Sequence, residues 1–194
     1  MWRAFVCAAT LIWASVAAAS VARAQDSAQR NVSALQLAGR QVHCDRVRLR
    51  LDGRLENLGA AAVDERLLLL NPRLLRRYSN TVQLFVFHHE CGHHRVGGSE
   101  LKADCWAVNR GLRDGWLDHK GLAQVCRSFE NAPETDTHPS GRRRCANIDR
   151  CFATAELDIA REKKEHQRKI AAEAIRNAPK LVAGPRLLRT SVLR

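Results

Sequence analysis

The sequence predicts an α+β fold that is mostly helical, with a small antiparallel sheet and disulfide cross-links. Three observations carry this expectation. Two helix-length segments follow one another between Ser79 and Gly111, divided by Gly97-Gly98. Short apolar or alternating runs at residues 47–51 and 67–70 precede them and read as strands. Seven cysteines are spread along the 194 residues without any C-x-x-C pair, which favours disulfides over a cysteine-built metal site.

The first 24 residues read as an export signal. Arg3 gives a positive start, an apolar run extends from Ala4 to Val21, and Ala22-Arg23-Ala24 has the small-x-small pattern of a signal-peptidase site. Cleavage after Ala24 delivers the chain to the periplasm or the exterior. An uncleaved anchor holding the chain outside the cytoplasm is the alternative, since the run is about long enough to span a bilayer. Cleavage removes Arg3, Arg23 and no acid, so the net charge of +12 falls by two. It also removes Cys7 and leaves six cysteines, an even number that in an exported chain favours three disulfides. The sequence does not choose their pairing. The basic excess favours acidic substrates or peripheral contact with an anionic membrane surface. Nucleic acid is not an expected partner of an exported chain.

Residues 25–40 are polar and alanine-rich and read as a flexible lead-in. Val47, Leu49 and Leu51 alternate with arginines, the pattern of a strand with one buried face. Asp52-Gly53 marks a turn. The leucines at 67–70 form a second strand, stopped by Asn71-Pro72, and Pro72 opens a short helix. The next helix starts at Ser79 or Asn80, either of which can cap it, and runs to about Val96. Ser99 can cap a following helix that places Glu100 in its first turn, where the helix dipole favours negative charge. Further helices are expected over residues 122–129 and from Ser140 or Gly141 through Phe152. Residues 155–178 are rich in Glu, Lys and Arg without a clean apolar stripe and read as a solvated helix.

His89-Glu90-Cys91-Gly92-His93 is an H-E-x-x-H pattern. Residues four apart share one helix face, so both imidazoles can reach one metal ion. Zinc suits imidazole nitrogen, and a catalytic zinc takes three protein ligands and a water. Glu90 is placed to take that water's proton as general base. Gly97-Gly98 lets the chain fold back, so that Glu100 approaches the last turns of the first helix as third ligand. Asp104, one turn on, can accept a hydrogen bond from a ligand histidine, His89, which fixes its tautomer. The reverse assignment, with Asp104 on the metal, stays open. Cys91 lies about 200° around the helix from His89 and faces away, as a core or disulfide residue. His88 and His94 lie off the metal face, in partly exposed or supporting positions. Trp106 and Trp116 read as core or cleft wall.

H-E-x-x-H followed by E-x-x-A-D, here Glu100-Leu101-Lys102-Ala103-Asp104, resembles the gluzincin, or thermolysin-like, zinc metallopeptidases. Glu100 to Asp104 fit the version found in the HtpX and CAAX prenyl protease group, and the resemblance covers roughly residues 63–150. It implies a zincin-like core of two antiparallel zinc-binding helices, with His89, His93 and Glu100 on the zinc and Asp104 behind a histidine. Thr137-His138-Pro139-Ser140 with Arg144 resembles the T-H-P-x-x-x-x-R segment of soluble members. That likeness makes His138 or Arg144 a candidate for steadying the oxyanion that amide hydrolysis develops. It further implies a cleft-lining edge strand, here Val63 with residues 67–70, onto which an extended peptide can add. The short gap from His93 to Glu100 departs from the family and implies a minimal core. The metzincin pattern is excluded, because it needs Gly at 96 and His at 99, where Val96 and Ser99 stand.

The expected organisation is a signal peptide over 1–24, the lead-in over 25–40, and a minimal metallopeptidase domain over 41–153. The charged helix over 154–178 and a basic, poorly ordered tail over 179–194 follow. The expected function is zinc-dependent hydrolysis of peptide bonds in the cell envelope or outside the cell. Two rivals remain: a catalytically inactive zinc- or partner-binding module, and an exported structural protein whose histidines hold no metal.

Overall fold

The computed structural model describes residues 29–32 and 34–177. The expected signal peptide and basic tail lie outside these residues. Among those described, no helix is long and apolar enough to cross a membrane.

The elements in chain order are strands β1 (Gln29–Val32), β2 (Leu35–Leu37), β3 (Arg40–Val42), β4 (Arg48–Asp52), β5 (Gly59–Ala62) and β6 (Leu67–Leu70), followed by helices α1 (Pro72–Leu75), α2 (Asn80–Val96), α3 (Glu100–Arg113), α4 (His119–Phe129) and α5 (Gly141–Asn177). The mostly helical α+β character is as expected. The lead-in is not: strands β1 and β2 and the start of β3 fall within 25–40. Leu35, Leu37 and Val42 supply the apolar side of the β2–β3 hairpin, with Leu37 and Val42 buried. Polar residues on the outward face mask this signal in the sequence.

The main sheet is also not purely antiparallel. Its order is β1-β4-β6-β5, and β4 runs parallel to β6. From β4 the chain crosses to the far edge as β5, then turns back between them as β6. Four consecutive leucines explain that inner place. A strand apolar on both faces needs cover on both, and Leu67, Leu68 and Leu70 are buried. Residues 67–70 are therefore not an edge strand; the edges are β1 and β5.

Helix α2 lies between two apolar clusters. On one side Leu84, Phe87 and Cys91 pack against Leu49, Leu68, Leu70 and Leu75 from the sheet and α1. On the other, Val82 and Phe85 pack against Ala107, Val108, Val125, Ile148 and Phe152 from α3, α4 and α5. Asn71 caps α1, accepting from the amides of Arg73 and Leu74. Ser79, rather than Asn80, caps α2 by accepting from Val82 N. Ser99 occupies the cap position of α3 without making a side-chain cap bond.

Two disulfides tie these parts together. Cys44–Cys91 fastens the segment after β3 to α2, and Cys105–Cys151 fastens α3 to α5. Such bonds suit an oxidising compartment. Of the three expected, the third is not formed: Cys126 and Cys145 are both thiols.

Helix α5 is continuous across the boundary expected near residue 154. The chain nevertheless divides into two compact units, with the division after Glu156. In the second, residues 157–177 are a solvated helical stretch, as expected. Leu157, Ile170 and Ile175 are exposed, and the pairs Arg161–Asp158 and Lys169–Glu165 lie along its surface at helical spacing.

Candidate metal centre

Helices α2 and α3 form the hairpin that the glycine pair promised. Gly97 adopts a φ of 76° at the end of α2, a backbone state that suits glycine, and its N–H bonds to His93 O. The two helices approach closely where Gly92 meets Ala103. A Cβ on Gly92 would stand 3.2 Å from the Cα and O of Ala103. Small residues at this crossing let the first turn of α3 come beside the last turns of α2.

The result is one compact cluster. The ligand-type atoms of His89, His93 and Glu100 lie within 4.8 Å of one another. His89 Nε2 is 3.1 Å from His93 Nε2. Glu100 reaches both rings, with Oε2 3.2 Å from His89 Nε2 and Oε1 3.3 Å from His93 Nε2. His89 and His93 are buried, and Glu100 is nearly so.

The outer ring nitrogens decide the tautomers. His93 Nδ1 faces Gly97 O at 3.0 Å, and a carbonyl can only accept, so Nδ1 carries the proton. His89 Nδ1 lies 2.9 Å from Asp104 Oδ1 and donates to that carboxylate. In the neutral rings both Nε2 atoms are then bare lone pairs, facing one another and a carboxylate. Glu100 Oε2 is buried without a hydrogen-bond partner. Bare acceptors aimed at one point repel unless a cation lies among them, either a proton or a metal ion. A His-His-Glu donor set with both outer nitrogens tied down can bind a metal ion.

Titration behaviour reflects the same geometry. Burial opposes charge on His89, yet its bonds to Asp104 and Glu100 outweigh that and raise its pKa to about 9. The hydrogen bond that Glu100 accepts from His93 raises the pKa of His93. Glu100 is itself buried, but both imidazoles hold its carboxyl well below the ordinary range.

Asp104 is fully buried and is braced from α5. Arg144 grips it with two bonds, Nε to Oδ2 at 2.9 Å and Nη2 to Oδ1 at 2.5 Å. Burial works against ionisation of Asp104, and Arg144 and His89 more than offset it. The Arg144 guanidinium also sits over the Phe129 ring, 4.7 Å from its centroid. Asp104 thus meets His89 at Nδ1, while Glu100 faces Nε2 of both histidines.

Glu90 lines an open cleft of about 390 Å³ beside this cluster, together with Gly59, His89, Phe129, His138 and Arg144. Burial raises its carboxyl pKa. Strand β5 passes close over it: a Cβ on Gly59 would stand 2.8 Å from Glu90 Cγ and 3.2 Å from Oε1. Gly59 was not foreseen, and no local pattern marks it, since its importance lies in a contact 31 residues away along the chain. His138 reaches the rim. Its Nε2 is 3.6 Å from Glu100 Oε1, its Nδ1 lies 2.8 Å from Thr137 Oγ1, and its side chain is half exposed.

One expectation about a neighbouring residue changes. His88 is buried rather than partly exposed, stacked on Trp116 with ring centroids 5.2 Å apart. With Leu84, Cys91 and Arg95 it lines a separate depression of about 640 Å³ on another face of α2. Cys91 does face away from the cluster, into its disulfide.

Comparison of the chain with protein-family models, with curated proteins and with solved structures finds no match.

Proposed function

We propose that this chain is an exported zinc peptidase of gluzincin type, with a zincin-like pair of helices at its centre. The observation that carries the reading is the convergence of two imidazole nitrogens and the Glu100 carboxylate beside the buried Glu90, at the wall of an open cleft. The two disulfides support an extracytoplasmic setting.

His89, His93 and Glu100 would hold the zinc, which supplies Lewis acidity for a carbonyl and for a water. Every other part of the chemistry falls to side chains. Glu90 receives the water's proton at its carboxylate and returns it to the departing amine. Burial raises its pKa, the direction that makes a carboxylate a better proton acceptor. Gly59 lets β5 close over Glu90 and limits where that carboxylate can point. An extended substrate adds to β5, which pairs with β6 alone among the described strands.

Of the two oxyanion candidates we read Arg144 as a brace: its Nε and Nη2 bond Asp104, and its Nη1 lies 3.9 Å from Glu100 Oε2. His138 sits at the cleft rim with its Nε2 toward the cluster, so it is the donor we assign to the developing oxyanion.

A quenched-peptide library tests the reading. Zinc-loaded wild type is expected to cleave members of it. Glu90→Gln is expected to lower cleavage by at least ~100-fold while keeping its metal. Zinc-loaded wild type that cleaves nothing across the library contradicts the peptidase reading.

A further inference from the structure

Helix α4 ends where α5 begins. Gly141 N–H bonds to Ala132 O at 2.9 Å, and Gly141 lies so close to Phe129 O that no Cβ could fit there. Cys126 lies three residues before Phe129 and Cys145 four residues after Gly141. Those are helical spacings of about one turn, which set each cysteine on the same face as the residue at the junction. Both line one cavity of about 440 Å³, between α4 and α5. Each is partly accessible, and the two thiols hydrogen-bond to one another.

The other cysteines among the described residues are already paired. A metal role for this pair finds no support, since His89, His93 and Glu100 are the one converging donor group among the described residues. We propose that Cys126 and Cys145 form a third disulfide, and that this bond clamps the segment carrying His138 and Arg144 against the metal centre. It closes the chain between the end of α4 and the first turns of α5, spanning the loop 130–140. Within that loop Thr135 N bonds to His138 O at 2.9 Å and His138 N to Thr135 Oγ1 at 3.0 Å. The loop is folded on itself, but few bonds fasten it elsewhere. A bond at its two roots supplies that anchorage.

The chemistry is thiol–disulfide exchange with a small disulfide such as oxidised glutathione. One cysteine thiolate attacks a sulfur of the oxidant, forming a mixed disulfide and releasing one glutathione thiolate. The second cysteine thiolate attacks the protein sulfur of that mixed disulfide and releases the other. Two protein thiols lose two protons and two electrons, and one glutathione disulfide becomes two glutathiones. Burial raises both thiol pKa values, so the exchange is expected to be slow and to quicken with pH.

The clamp stands independently of the peptidase reading, and its test uses no metal. The full-length protein is incubated with oxidised glutathione, its free thiols are alkylated under denaturing conditions, and it is digested with trypsin without reduction. The expected product joins the peptide of residues 121–127 to that of residues 145–150, two hydrogens lighter than the separate pair. Alkylated cysteines at both positions, glutathione on each, or either one paired elsewhere overturns the assignment. Hydrogen exchange then tests the clamp itself. Amides of 131–140 are expected to exchange several-fold faster in Cys126→Ser/Cys145→Ser than in the oxidised wild type, with α2 unchanged. Equal protection of the loop in the two proteins refutes the clamping role.

Discussion

His88 and His89 are neighbours on one buried helix and have opposite chemistry. His88 stacks on Trp116, and burial, outweighing the pull of Asp114, lowers its pKa to about 4. His89, about 100° further round the helix, meets Asp104 and Glu100 and has its pKa raised to about 9. Burial alone therefore does not make a ligand. What separates the two rings is the acid behind one of them and the acid in front, each placed there by α3. Arg144 and Phe129 hold that arrangement from outside the hairpin.

The sharpest way to break this contrast is to remove each ring in turn. His89→Ala is expected to abolish metal binding as read by a chelator competition. His88→Ala is expected to keep the metal and to lose roughly 2–4 kcal/mol of stability to the void beside Trp116 and Trp106, read by denaturant unfolding. Equal metal loss in both variants would erase the distinction.

Asp104→Asn comes next. It weakens the acceptor behind His89, and metal affinity is expected to fall by about 10–100-fold. An unchanged affinity would mean that Asp104 serves only Arg144.

The pH dependence has a definite sign. In the metal-free protein His89 keeps its proton up to about pH 9, and binding requires its Nε2 bare. Affinity is therefore expected to rise with pH between 6 and 9, by roughly tenfold per unit for each proton expelled. Calorimetry in buffers of different ionisation enthalpy counts those protons, and a count of zero contradicts the geometry. The smallest effect is that of Gly59→Ala. Its Cβ displaces Glu90, so peptide cleavage is expected to drop several-fold with metal content unchanged.

Much of this centre was legible because its contacts are local. His89 and His93 are four apart on α2, Glu100 and Asp104 four apart on α3, and Gly97-Gly98 joins the two helices. Helical geometry and one turn suffice to bring them together. What escaped depends on residues distant in sequence. Arg144 grips Asp104 from 40 residues away; the T-H-P-x-x-x-x-R likeness singled out this arginine, but as an oxyanion donor and not as the partner of Asp104. The place of β6 inside the sheet follows from its pairing with β4, and β1 and β2 are too short and polar to stand out. The apolar, alternating and capping signals located α1 to α4 and the start of α5 to within a few residues, because each rests on its own few side chains; they ended α5 near Phe152, where the helix runs on to Asn177.

The central claim is that bare nitrogens and a carboxylate converge because a divalent cation belongs among them. Elemental analysis of the mature protein, purified under metal-replete conditions, tests it directly. One zinc per chain is expected in the wild type and in Glu90→Gln, and none in His93→Ala. A wild-type protein that carries no divalent metal under those conditions contradicts the claim.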